Sequence, residues 1–465
     1  MRAKIIFLSS LMIPFVLVFI YVFNTATDYV YHDDTFLIKG GFIESYLNGN
    51  ITFADLWRPV GKIRFLGYNL LLLANIKWFS LNSKIFVFLI PFLLLISALL
   101  IYREYRKSLT PDCSTEFIAA TFLFLNLIIF NIIQYYALMF GYGLNFQIPM
   151  PFIIASFISL ELFMTKDWKY LPSAFLVSAL AVLVFGGTAI FAFAPALGST
   201  FLCYILTHRT QLTKDFWNRA LIISIFLALT AFLYLFNINH NDYLPNYKTF
   251  FLSEIISNPT EAARFLLTAF GASVIGIDAF FTYNLFSFDS IVFIGLVILL
   301  FYIMAIILFF KSLMYKRTYL PFFLIMQTFF HLCFVTLGRF GLGSTYYAMM
   351  SSYTCVSIFG LVALAWIFIF TLTRRKEPKM LMKGILLAGL SVLVAGFLIT
   401  SVAVWRSQPL RKAYFEKLRD IALRIDSATP EELNLSDFNK QICDSLRLLK
   451  KHKLNIYRSV SNNKK

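Results

Sequence analysis

Residues 84–107, KIFVFLIPFLLLISALLIYREYRK, decide how the whole chain is read. No charged side chain lies between Lys84 and Arg103, and the run closes on Arg103, Arg106 and Lys107. About 20 apolar residues in helical form cover the hydrocarbon core of a bilayer. Basic residues just beyond such a run hold that end in the cytoplasm. Similar runs recur along the 465 residues, of which 59% are hydrophobic and 14% charged; an ordinary soluble domain carries about 25% charged residues. The sequence therefore predicts an all-α polytopic membrane protein.

Spans are expected at about 5–23, 84–102, 116–133, 149–165, 170–186, 189–207, 219–236, 290–310, 318–337, 353–373 and 383–403, about eleven in all. The first, with Arg2 and Lys4 before it, exceeds the roughly 7–15-residue apolar region of a signal peptide. No clear A-x-A site follows it, so it reads as an uncleaved helix with a cytoplasmic start. With this count every strongly basic short loop, such as 208–219 and 373–379, falls on one side, as the positive-inside rule requires. The apolar stretch 263–278 is read as a partial insertion, because a full span there would move KSLMYKR and TRRK to the other side. Within the long first outside loop, about 24–83, FLIKGGFIESYL and IRFLGYNLLLLANIKWF read as interfacial or re-entrant helices. The chain divides into a membrane part, 1–403, and a small basic helical tail, 404–465, on the outer side. In the tail Phe415, Leu418, Ala422 and Ile425 share a helical face, and Thr429 and Ser436 are N-cap candidates. Its basic charge suits contact with anionic headgroups.

A net charge of +17 raises the question of nucleic acid. The basic residues instead mark short loops and the tail, without zinc-finger spacing or a dimerising basic helix, so no nucleic-acid partner is expected. Five cysteines, three of them inside apolar runs, form no CxxC or Cys/His pattern. Neither a disulfide framework, nor a metal site, nor a cofactor is predicted. No internal repeat supports an inverted-repeat transporter.

Polar chemistry concentrates in the outside loops. DYVYHDDTFLIKGG, residues 28–41, places Asp33 and Asp34 side by side where the chain leaves its first span. A carboxylate there suits a general base, and nearby cations, Arg58, Lys62 and Arg64, suit the developing charge of a phosphate leaving group. Glu44 is a candidate to orient acceptor or base. The plainer alternatives are helix capping for the acids and interface anchoring for WRPVGKIR. In QYYALMFGYGLNFQ, residues 134–147, Tyr135, Tyr136 and Gln147 combine aromatic faces with an amide, as sugar sites do, although an aromatic belt uses tyrosines too. Arg339, among Gly338, Gly341 and Gly343, suits an anionic headgroup or simple snorkelling. His331 is an intramembrane ionisable group, Glu161 closes the fourth span, and the contiguous His240, Asn241 and Asp242 form only a chance metal set.

The uncleaved first helix, the paired acids of the first outside loop and the many spans together resemble the GT-C superfamily of membrane glycosyltransferases. More narrowly, FGYGLNFQIPMPFIIASF (140–157) and GRFGLG with YYAMMSSY (338–343 and 346–353) are similar to segments of the serotype-converting O-antigen glucosyltransferases of enteric bacteria and their phages. Such relatives are expected to carry Arg before the Tyr of the SSY element. Ser352 stands there, leaving Arg339 as the stronger phosphate candidate. The resemblance implies an inverting transfer of a sugar, glucose first, from an undecaprenyl-phosphate donor to O-antigen or another lipid-linked glycan, on the periplasmic face of a bacterial inner membrane and without metal. Asp33 or Asp34 would be the base. A flippase or transporter of lipid-linked sugars and an O-antigen polymerase are the competing functions.

Overall fold

The computed structural model describes residues 2–30, 32–60, 63–110, 112–187, 189–236, 251–374, 379–435 and 438–458. Among them no strand forms, and an isolated bridge, Val60 with Ile63, is the only extended pairing. Ten helices are long and apolar enough to cross a membrane: α1 Arg2–Thr25, α2 Ser83–Leu109, α3 Thr115–Met139, α4 Gly141–Thr165, α6 Ile190–Thr207, α7 Lys214–Leu235, α8 Phe288–Lys311, α9 Leu320–Leu342, α10 Ser351–Leu372 and α11 Met380–Leu423. The protein is a multi-pass membrane protein, and its described residues build it from helices. That is the solution hydrocarbon enforces, since a helix satisfies its own backbone groups.

The remaining expected span is the shorter apolar segment α5, Trp168–Val184. Its last turn widens into a π-helix, Leu180–Val184. Its ends show where it runs. Trp168 donates its indole N–H to Asp215 at the start of α7 (2.9 Å), while Phe185 lies against Gly67 of the loop between α1 and α2, leaving no room there for a Cβ. The segment therefore connects the same two faces as its neighbours, although its 17 residues reach only roughly 25 Å.

Local signals set the helix starts. The side chains of Asn82, Ser114, Thr213 and Ser287 accept the backbone N–H two or three residues on, capping the helices that follow them. Pro14, inside α1, has no N–H for the carbonyl of Ser10. Asn126 of α3 supplies the missing donor, its side-chain amide reaching that carbonyl at 2.7 Å in a buried position. The core centres on α10, of whose apolar window 94% is buried. Its Trp366 donates to Ser108 Oγ of α2 (3.0 Å) and meets the Tyr105 ring edge-on.

The 263–278 stretch does not cross. Helix Pro259–Ala272 lies against the first turns of α8 and ends there. Gly295 faces the Leu267 carbonyl so closely that a Cβ would stand 1.8 Å from its oxygen, and Gly271 meets Ile291 in the same way. The loop helices expected between α1 and α2 are Phe42–Leu47 and Leu66–Phe79, with a further turn, Phe53–Trp57, capped by a Thr52–Asp55 box.

The boundary expected at 403/404 falls inside α11, which continues unbroken for 44 residues to Leu423. Phe415, Leu418, Ala422 and Ile425 are buried as one face. The Thr429 cap forms, with Glu432 answering it from the third position. Ser436 lies outside the described residues; Asn439 caps the last long helix, Lys440–Lys451, by accepting from the Ile442 N–H (2.9 Å). Ile442, Leu446 and Leu449 of that helix are buried, and it packs on the loop between α1 and α2 rather than lying apart from it.

The Gly295 contact predicts a stability difference. Gly295→Ala forces α8 and the 259–272 helix apart, at a cost of about 1–3 kcal/mol, and lowers the melting temperature of the purified protein in detergent. Gly384→Ala, at a glycine with nothing within 4 Å of a built Cβ, leaves it unchanged.

Candidate functional site

The acid turn is a 3-10 helix, His32–Leu37, ended by Gly40 and Gly41. Gly40 takes φ +75, where side chains are strained, and a Cβ on Gly41 would sit 2.3 Å from the Leu37 carbonyl carbon. The side chain of Asp33 lies outside what is described. Asp34 is 7% exposed, and Tyr68 Oη donates to its Oδ1 at 2.8 Å. The two line a cavity of about 10 Å³, room for a single water molecule, with Asn75, Ser83 and Gly141 on its walls. Asp28 takes the amide at the start of α2, accepting from Ser83 N at 3.0 Å.

The C-terminal tail holds this turn from both sides. Ser445 Oγ donates to the Thr35 carbonyl (3.1 Å) and accepts from the Lys39 N–H (3.3 Å). Asn455 accepts from Val30 N (3.2 Å), donates to the Leu81 carbonyl (2.8 Å), and gives its own N–H to the Ser80 carbonyl (2.8 Å). Arg458 forms an ion pair with Asp28.

The other candidates separate into those brought to this turn and those engaged elsewhere. The 134–147 segment is brought to it, since Tyr142 packs edge-on against Tyr68 (5.8 Å) and Phe65 (6.0 Å). Within that segment Gln147 is 1% exposed and turned into the bundle, donating to Gln134 Oε1 and Cys355 Sγ. It is an interhelical link, which corrects the sugar-binding expectation. Tyr136 donates its backbone N–H to Ser351 Oγ (3.2 Å), and its ring lies tilted 5.3 Å from that of Phe140. Glu44 pairs with Lys39 at 2.5 Å and accepts from Gly40 N (2.7 Å), and that lysine holds its carboxyl below the usual range. It closes its own turn rather than orienting Asp34.

Arg64 is 3% exposed and fully engaged. Its guanidinium donates to the carbonyls of Trp57, Tyr234 and Phe236 and lies 4.7 Å over the Trp57 ring. It clamps the first loop to the end of α7, so it does not serve as a phosphate ligand. Arg58 is the half-buried C-cap residue of Phe53–Trp57. Lys62 lies outside the described residues, as do His240, Asn241 and Asp242. Arg339 ends the long helix of α9 and donates from Nε to Tyr353 Oη (2.7 Å). His331 is buried edge-on to that tyrosine, without a partner for Nε2 among the described residues. On the opposite face Glu161 accepts from Tyr319 N (3.0 Å), a structural cap at the start of α9.

A second buried polar cluster joins four distant parts of the chain. Asp278, on the short helix Ile277–Phe281, forms an ion pair with Arg411 of α11. The Arg411 guanidinium lies 3.6 Å over the Tyr135 ring and also reaches Tyr21 Oη of α1 at 3.4 Å. Tyr135 is thus a cation–π partner, not an open sugar platform. Burial pushes the Asp278 carboxyl up, against the pull of Arg411. Two signals could have revealed the pair. Asp278 is the one acid in the apolar run GASVIGIDAFF. Arg411 stands four residues before Phe415, in register with the tail's buried face.

No family model, curated protein or solved structure matches the chain. Among the described residues no cluster of His, Cys, Asp or Glu has a metal-holding arrangement.

The ion pair predicts an asymmetric response. Arg411→Met alone leaves Asp278 buried and uncompensated and destabilises by about 3–5 kcal/mol. Arg411→Met with Asp278→Leu restores much of that loss. Detergent melting curves of the two variants check it; equal losses would mean that the pair is not what holds the cluster.

Proposed function

We propose that the protein is an inverting membrane glycosyltransferase of GT-C type. It moves a sugar, glucose in the closest reading, from undecaprenyl phosphate to O-antigen or a related lipid-linked glycan at the periplasmic face of a bacterial inner membrane. What carries this reading is the gathering of every long connection at one end of the helical bundle around a buried carboxylate. The first loop touches the end of α7 through Arg64, the 134–147 segment through Tyr142, and the tail through Asn455. Phe251, in the segment before α8, meets the same end of the bundle by donating its N–H to the Leu337 carbonyl. A carrier that alternates between two faces has no need of so one-sided a cap; an enzyme taking substrates from one leaflet does.

In this reading Asp34 accepts the proton of the attacking acceptor hydroxyl, with Tyr68 holding the carboxylate in place. The oxygen then forms its bond to the anomeric carbon from the side opposite the phosphate, and the donor oxygen leaves with the electron pair. Arg58 and Arg339 are further cations on which the developing charge of that phosphate can draw. The small cavity beside Asp34 requires the first loop to shift before a sugar can enter.

Expression in a host of defined O-antigen, followed by sugar and linkage analysis of the lipopolysaccharide, tests the proposal. A new side-branch sugar is expected. Asp34→Asn lowers transfer by roughly 10²–10⁴-fold, the usual worth of a general base, while membrane insertion stays unchanged. Altered chain length without a new sugar would instead indicate a polymerase, and full activity in Asp34→Asn would remove the assigned base.

A further inference from the structure

A groove of about 390 Å³ runs between α1 and α11 over the end of α3, within the roughly 300–1,000 Å³ of small-molecule sites. Pro14 and Leu17 form one wall, Phe397 and Val402 the other, and Phe130 the floor. Pro14, Leu17 and Phe130 lie in the halves of α1 and α3 nearest the loop-rich face, and Phe397 and Val402 lie late in the apolar part of α11. Its lining is almost wholly apolar, with two exceptions on α11. Ser401 Oγ is buried without a hydrogen-bond partner among the described residues. Arg406, exposed at the mouth, makes no ion pair among the described residues. Trp405, beside it, packs 5.7 Å from the Tyr21 ring, and Tyr21 is the residue that Arg411 reaches. The groove therefore leads from lipid to the Asp278–Arg411 cluster beneath the cap.

In a bilayer an apolar trough of this kind is filled by a hydrocarbon chain, and the charge at its mouth selects the headgroup. The geometry points to a binding site for a polyprenyl phosphate, its isoprenoid chain in the groove and its phosphate against Arg406. One trough and one cation match one chain and one phosphate, where a phospholipid would bring a second chain with nothing to receive it. This inference rests on the glycosyltransferase reading, for which it names the place where the lipid-linked donor is held.

Binding can be measured without any acceptor, on the full-length protein in nanodiscs of zwitterionic lipid titrated with undecaprenyl phosphate. Saturable binding is expected. Arg406→Gln weakens it by roughly fivefold, the worth of one basic residue at a membrane surface, and Leu17→Trp, which fills the trough, removes it. Lys383→Gln, at the other end of α11, leaves it intact. Undecaprenol binds the wild-type protein as weakly as the phosphate binds Arg406→Gln. Displacement by phosphatidylglycerol as readily as by undecaprenyl phosphate, or unchanged affinity in both groove variants, would overturn the site. Intact, groove-dependent binding in a protein that transfers no sugar would keep the site and overturn the enzyme reading instead. Transfer whose donor KM is unmoved in both variants would overturn the site alone.

Discussion

The whole architecture answers one requirement: a peptide group in hydrocarbon must find its hydrogen bond within the protein. Helices meet it for most of the chain, and the exceptions show how strictly it is kept. Where Pro14 breaks the ladder of α1, Asn126 reaches across from another helix to occupy the carbonyl left open. A polar side chain in the middle of α3 is thereby a packing residue. It also fixes the relative height of α1 and α3, and those two helices then form two sides of the groove below the cap.

At the loop-rich face the same requirement is met differently. Backbone there is irregular, and long-range side chains complete it. Arg64 collects carbonyls from two segments, Asn455 knits the ends of α1 and α2 to the tail, and Ser445 brackets the acid turn. Asp34 is buried between its own loop and the residues that other segments bring to it, Tyr68, Leu72 and Phe86. A site assembled in this way has its geometry set by residues more than 400 positions away.

This explains what could be read from the sequence and what could not. The spans announce themselves by length and by the basic loops between them, down to the short α5 and the incomplete 263–278 insertion. Local caps such as Thr429 are equally visible, since a Ser or Thr, a proline and an acid at fixed offsets carry their own mechanism. Pairings across the chain leave no such mark. Arg64 looks like an interface cation until Tyr234 and Phe236 are seen beneath it, and Gln147 looks like a sugar ligand until Cys355 is found opposite. The Asp278–Arg411 pair joins a loop helix to the tail, and neither residue's surroundings in sequence name the other. The division at 403/404 misled for a related reason: hydropathy falls there, but the helix does not stop.

The tail's grip on the acid turn has a consequence for how the protein is made. Ser445 and Asn455 are synthesised more than 400 residues after the segment they secure. Until the tail emerges, Asp34 waits on an unfinished scaffold. The helices can form while the acid turn is still loose, and synthesis of the tail becomes the step that secures it.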